Sequence, residues 1–360
     1  MEKFSCKTTI LSGAGAICAL GEMKGTRLFL VTDPFFVKNG MAQRVLEAAK
    51  CSHTEIFDKV QPDPTVELAA EGTARLRDFE ADLLVALGGG SAMDCAKAMA
   101  YFAKGNYKFV AIPTTSGSGS EVTDFAILTH DKVKHPLVDP ALRPDTAILD
   151  SDLLMELPRS LIADSGFDVL CHALEAYVAK DAGAISDLYA REAFSSAYAS
   201  LPASYAGRKE VRLKVHVAAT MAGMAFTQAG LGLCHALSHS LGGMFHVPHG
   251  RLNAILMPSI VSLNANAAGK KYAELARAAG LGGSAETIAV RNLKNGLVRL
   301  RRELGLPETL AQAGVPPRNV WASAAQIVQA ALADPCCAAN PVPVDDFMVR
   351  RILEEVTGRV

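Results

Sequence analysis

Leu83-Leu84-Val85-Ala86-Leu87-Gly88-Gly89-Gly90-Ser91 decides the reading of this chain: a run of apolar residues passes straight into three glycines, and Ala92 to Ala100 continue in helix-forming residues. Glycines placed where a strand hands over to a helix let the backbone approach an anion closely. The unpaired N–H groups and dipole of the following helix favour negative charge there. The turn is a phosphate site by geometry, with a purely structural turn as the alternative, and it is not the dinucleotide fingerprint G-x-G-x-x-G.

Working outward, Arg27 to Asp33, Thr54 to Asp58, Phe109 to Pro113 and Thr146 to Asp150 are short runs of similar character, separated by longer amphipathic segments. That rhythm predicts a parallel sheet flanked by helices. After Pro158 the sequence changes to Ala, Leu, Met and Glu at helical spacing, as in Ser186 to Leu201, Val211 to Phe226 and Ile288 to Leu304. The expected architecture is an α/β nucleotide domain over residues 1–158 and an all-helical domain over 159–360, divided in the polar junction Glu156 to Ser160. Ile10 to Leu20 reads as strand and turn rather than a signal peptide.

A chain of 360 residues, half of them apolar, exceeds what one core usually fills, which agrees with two domains. Its 36 basic and 37 acidic residues nearly cancel, and no block of one sign could track a phosphate backbone or an anionic membrane, so no nucleic-acid or membrane partner is expected. Every apolar stretch is broken before the roughly 18 residues that a spanning helix needs. The eight cysteines show no C-x-x-C pair or compact framework and read as reduced thiols of a cytoplasmic protein.

A second flexible turn, Thr114-Thr115-Ser116-Gly117-Ser118-Gly119-Ser120-Glu121, follows Phe109 to Ile112 and offers hydroxyls at the same expected sheet edge. Asp33 ends the first strong strand, where a carboxylate could accept from ribose hydroxyls and repel a 2′-phosphate, favouring NAD over NADP; the alternative is a turn-forming Asp before Pro34. Four of the nine histidines, His235, His239, His246 and His249, fall close together. His235 and His239 are spaced i, i+4, as are Asp168 and His172 in the helical run Phe167 to Val178, and a Pro248-His249-Gly250 turn could fold His249 back. One carboxylate with several imidazoles suits a divalent first-row metal such as Fe²⁺ or Zn²⁺. Cys171 and Cys234 precede two of these histidines, but helical neighbours point about 100° apart, so both thiols are expected to face elsewhere.

These stretches together resemble the iron-containing alcohol dehydrogenase family: Gly88 to Asp94, Pro113 to Val122, Gly166 to His172 and Gly230 to Gly250. Within the family, Gln228 to Leu233 and Gln329 to Asp334 are most similar to the 1-propanol dehydrogenase branch of the propanediol-utilisation type. The resemblance implies a dehydroquinate synthase-like architecture with a metal in the cleft between the domains. It implies Asp168, His172, His235 and His249 as metal ligands. Asp33, Gly89, Gly90, Ser91, Asp94, Thr114, Thr115, Ser118 and Lys134 fall at cofactor positions for NAD(H), and Phe125, Phe226 and Cys336 at the substrate pocket. His246 is left open between an accessory polar group and a surface residue.

The chemistry expected from this set is interconversion of a short-chain aldehyde and its primary alcohol, with the metal polarising the carbonyl oxygen. His239, one turn from His235, is the residue placed to relay a proton or to fix the nicotinamide ribose. A reductase of an anionic aldehyde, a glycerol dehydrogenase-like enzyme, a maleylacetate reductase, a dehydroquinate synthase-like enzyme and a non-catalytic scaffold are the competing readings. By likeness alone the chain is expected to form a homo-oligomer, most simply a dimer, with association to a larger enzyme complex also considered.

Overall fold

The computed structural model describes residues 4–131 and 133–358, and by its internal contacts the chain divides into two compact units, Ser5–Leu157 and a second that begins at Pro158 and also takes in Phe4. The first unit holds six parallel strands: β1 Thr9–Gly13, β2 Arg27–Val31, β3 His53–Phe57, β4 Leu83–Gly88, β5 Lys108–Pro113 and β8 Thr146–Asp150. Their order is β1-β8-β5-β4-β2-β3, and a separate antiparallel hairpin is made by β6 Phe125–His130 and β7 Val133–Val138. Every residue of β4 is buried, which is why its sequence is continuously apolar rather than alternating. Val85 and Leu87 face one layer with Leu28, Leu30 and Val45, while Leu84 and Ala86 face the other with Phe29, Leu76 and Met93.

Progress through the sheet reverses between β2 and β4, since β3 lies outside β2 whereas β5, β8 and β1 lie beyond β4. A reversal of this kind opens a crevice at the carboxyl ends of the two strands. Those ends carry Asp33 and Gly88 to Gly90. The strand pattern did not reveal the hairpin, because β7 contains Pro136 beside the polar Lys134 and His135; a two-stranded ribbon has only edges, where proline is tolerated.

Lys97 ties this hairpin to the helix that follows the glycines, Gly90–Ala103. The side chain is fully buried, and its ammonium donates to Ser120 Oγ at 2.9 Å, Thr123 Oγ1 at 2.8 Å and the carbonyls of Thr123 and Phe125 at 3.0 and 2.8 Å. Burial pulls its pKa down to about 8 against the opposing pull of Asp94, Glu121 and Asp124. A Lys97→Met substitution leaves those acceptors unpaired in the interior and is expected to cost about 3 kcal/mol of stability, read from denaturant unfolding. A loss below about 1 kcal/mol would show that water replaces the ammonium there.

The regular elements of the second unit are all helices among its described residues, and five carry or adjoin site residues: Arg159–Val178, Arg212–Ala229, Leu233–Phe245, His249–Ala278 and Pro335–Ala338. Pro248-His249-Gly250 is not a free turn, contrary to the spacing-based reading. Pro248 is the N-cap of the 30-residue helix and His249 its first residue. The preceding helix ends at His246, whose left-handed backbone (φ 54°) donates its N–H to the Gly242 carbonyl; the exposed His246 is thus a helix terminator. Among the described residues no single helix is long and apolar enough to cross a membrane, and all eight cysteines are free.

Candidate active site

Asp168 Oδ1 is the point on which the histidines of the second unit converge. His249 Nε2 lies 3.5 Å from it, His235 Nε2 3.7 Å and His172 Nδ1 3.8 Å. The ligand atoms of Asp168, His235 and His249 all lie within 4.8 Å of one another, while His172 joins by stacking on His235 at 4.5 Å. Asn253 Nδ2 donates to the same Asp168 oxygen at 2.8 Å, and Asn253 Oδ1 accepts from Ser238 Oγ at 2.5 Å. Three helices are needed to assemble the set, and each supplies its residues by the i, i+4 rule: Asp168 and His172, His235 and His239, His249 and Asn253.

Close approach of two of these helices depends on Gly250. A Cβ added there would stand 1.8 Å from the Asp164 carbonyl oxygen, and beside it Arg251 pairs with the Asp164 carboxylate at 2.8 Å. The start of one helix is thereby pressed onto the helix that carries Asp168.

Electrostatics follow from burial. Desolvation works against the Asp168 carboxylate, yet the imidazoles of His172, His249 and His235 hold its pKa well below the usual range. Desolvation also pushes His249 down, with the other histidines adding to it. His235 stands apart: burial opposes its charge, but Asp168 and Glu175 raise it to about 10. Metal binding at this imidazole is therefore coupled to proton release.

The residues fit a divalent metal. Among the described residues, buried His235 Nε2 has no hydrogen-bond partner, and it points at a carboxylate oxygen shared with two other imidazoles. Side-chain exposure rises from 1% at His235 to 26% at His239 and 36% at His249, so the set is open on one side. On that side His239 stacks on His249 at 5.2 Å and its Nδ1 lies 2.8 Å from Asp334 Oδ2. Asp334 also accepts from the Cys336 N–H at 2.8 Å, and although burial would raise its pKa, His239 keeps it lowered. Phe226 stacks on His172 at 4.5 Å. Of the three expected pocket residues, Phe226 and Cys336 thus lie beside the histidines, while Phe125 belongs to the first unit as the opening residue of β6.

Glu175, Asn253 and Asp334 are the polar residues that the sequence reading missed. Glu175 Oε2 lies 2.7 Å from His235 Nδ1. Its signal was present, since Asp168, His172 and Glu175 are spaced i, i+4, i+7 on one helical face. The thiols do not simply face elsewhere: Cys234 Sγ lies 3.8 Å from both the carbonyl and the side-chain Oδ1 of Asn253, and Cys171 Sγ lies 3.8 Å from His235 Nδ1, because that ring reaches across to the helix carrying Cys171.

In the first unit the two flexible turns meet. A Cβ on Gly89 would lie 3.3 Å from Thr115 Oγ1 and one on Gly90 3.4 Å from Ser118, so the glycines leave room at the helix start that Ser91 shares. Thr114 is bound to β4 through its N–H and the Gly88 carbonyl at 2.9 Å, and its buried Oγ1 has no hydrogen-bond partner among the described residues. Asp33 caps the helix Pro34–Lys38 by accepting from Phe35 N at 2.9 Å; burial raises its pKa, and Oδ2 lies 3.8 Å from where a Gly88 Cβ would be. Asp94 is engaged internally, accepting from Ser120 Oγ at 2.9 Å and Ile127 N at 3.2 Å, and Lys134 pairs with Asp63 at 2.7 Å. An open helix N-terminus, an orphaned hydroxyl and a carboxylate at a sheet switch point fit a dinucleotide.

Residues 7–151 match the family described as iron-containing alcohol dehydrogenase, and residues 162–357 match the C-terminal part of the same family. The chain belongs to the iron-containing alcohol dehydrogenase family and is an oxidoreductase that interconverts alcohols and aldehydes. Among its relatives, 1-propanol dehydrogenase PduQ of Citrobacter freundii is 37% identical, covering 99% of this chain and 100% of the relative. NADPH-dependent butanol dehydrogenase of Clostridium saccharobutylicum is 34% identical, covering 98% and 97%. The iron-containing alcohol dehydrogenase of Thermococcus thioreducens superposes with a TM-score of 0.90 at 32% identity over 98% of both chains. Sulfoacetaldehyde reductase of Bifidobacterium kashiwanohense, solved with NAD⁺, gives 0.89 at 28% identity, again over 98% of both.

Proposed function

We propose that this enzyme reduces a short, uncharged aldehyde with NADH, and that residues 1–158 bind the dinucleotide while residues 159–360 hold the metal and the substrate. The observation that carries this reading is the convergence of three imidazole nitrogens on Asp168 Oδ1 within 3.8 Å. Asp168, His172, His235 and His249 would hold the metal, which supplies Lewis-acid stabilisation of negative charge on a carbonyl oxygen, while the nicotinamide supplies hydride. His239 would move the proton: with Nδ1–H donated to Asp334, Nε2 is the nitrogen left to take or give one. Phe226 and Cys336 make the neighbouring wall apolar, which suits an aliphatic substrate.

Gly89, Gly90 and Ser91 would receive the pyrophosphate at the helix N-terminus, with the hydroxyls of Thr114, Thr115 and Ser118 around it. Asp94 would act by holding the Ser120 loop, and Lys134 by approaching from the hairpin. Asp33 would select NADH, because a carboxylate repels a 2′-phosphate. Asp33→Ser is expected to raise kcat/KM with NADPH relative to NADH by about tenfold or more, worth roughly 1.4 kcal/mol. An unchanged ratio would confine Asp33 to its role as helix cap. Cytoplasmic residence, a homodimer and docking to a larger assembly belong to the same proposal, the first supported by the unpaired thiols.

Initial rates with propanal, acetaldehyde, glycolaldehyde, sulfoacetaldehyde and, in the oxidising direction, glycerol test the substrate class. The highest kcat/KM is expected with propanal. Preference for sulfoacetaldehyde or glycerol would overturn the assignment in favour of an anionic or polyol substrate.

A further inference from the structure

We infer that Glu175 is a positioning residue that fixes which nitrogen of His235 faces Asp168, and thereby sets how tightly the site holds a divalent metal. This rests on the metal-site reading above. Glu175 is 2% exposed, and its carboxylate is surrounded by donors. Oε1 accepts from Cys234 N at 2.7 Å; Oε2 accepts from Gly232 N at 2.9 Å and His235 N at 3.3 Å, and lies 2.7 Å from His235 Nδ1.

The backbone donors belong to the first turn of helix Leu233–Phe245 and its N-cap, where N–H groups have no intrahelical partner and a negative group is favoured. A carboxylate in that place can only accept, so His235 Nδ1 must carry a proton and donate it. In the neutral form that a metal ligand requires, an imidazole has one donor and one acceptor nitrogen, which leaves the lone pair on Nε2, the atom 3.7 Å from Asp168 Oδ1. Gly232 makes the arrangement sterically possible, because a Cβ there would stand 2.7 Å from Glu175 Oε1. Glu175 therefore links a helix N-terminus to the imidazole, holding both the ring's tautomer and its orientation.

Glu175→Gln keeps the side chain's size but offers one carbonyl oxygen and no charge. That oxygen can serve the imidazole or the Cys234 N–H, not both. The affinity for Zn²⁺, measured by chelator competition on the full chain, is expected to fall about 10- to 100-fold. A dissociation constant within twofold of wild type would overturn the inference. Wild-type protein ¹⁵N-labelled at histidine and loaded with Zn²⁺ gives a second readout that does not depend on the variant's folding. His235 is expected to show its proton on Nδ1 and a metal-shifted Nε2, and coordination through Nδ1 would contradict the proposal. Failure of the wild-type protein to bind Zn²⁺ or Fe²⁺ at all would instead overturn the metal-site reading, and this inference with it.

Discussion

Asp168→Asn is expected to lower kcat/KM by about 10³ and to leave the purified protein with little metal. Asp168 Oδ1 is the shared neighbour of three imidazole nitrogens and the acceptor of the Asn253 amide. An asparagine that keeps its oxygen toward Asn253 loses the charge; one that flips sets an NH₂ group against the Asn253 NH₂. Either way the charge of the carboxylate shared by the three imidazoles is gone. The measurement is metal per chain by elemental analysis, alongside kcat/KM. Full occupancy with activity within tenfold of wild type would remove Asp168 from the site.

The second large effect is expected from His239→Ala, with the opposite signature. Its imidazole is tied to Asp334 through Nδ1 and stacks on His249, and it groups with Asp334 and Cys336 rather than with the atoms around Asp168. The variant is expected to retain its metal while kcat falls about 10²- to 10³-fold, the range for loss of a positioned acid or base. Solvent-isotope effects and the pH profile of kcat separate loss of a proton carrier from simple loosening of the pocket. Metal loss comparable to that of Asp168→Asn would make His239 a ligand rather than a proton carrier. Unchanged kcat would leave the proton to solvent.

Part of the cluster around Asp168 was legible because two of its i, i+4 pairs rest on local spacing. Asp168 with His172 and His235 with His239 each lie one helical turn apart, a pattern visible before any fold is known. The glycine turn was legible for a similar reason, since an all-apolar strand such as Leu83–Gly88 is continuous only when buried on both faces. What escaped was fixed by tertiary contact. Glu175 gains its role only when the N-terminus of helix Leu233–Phe245 is brought against it, and Asp334 only when His239 turns to meet it. Pro248-His249-Gly250 carries turn residues, but a proline in the N-cap position can open a helix as well as interrupt one, and packing against Asp164 selects the former. Lys97 looked like one helical lysine among many; only the hairpin folding over it gives the ammonium its four acceptors.

A metal held by the Asp168-histidine set and required for aldehyde reduction is tested by NADH oxidation with propanal, using protein purified anaerobically and assayed as isolated, after chelation, and after return of Fe²⁺ or Zn²⁺. Turnover is expected to disappear on chelation and to return with metal; turnover that survives complete removal of metal would show that the Asp168-histidine set needs no metal for this reaction.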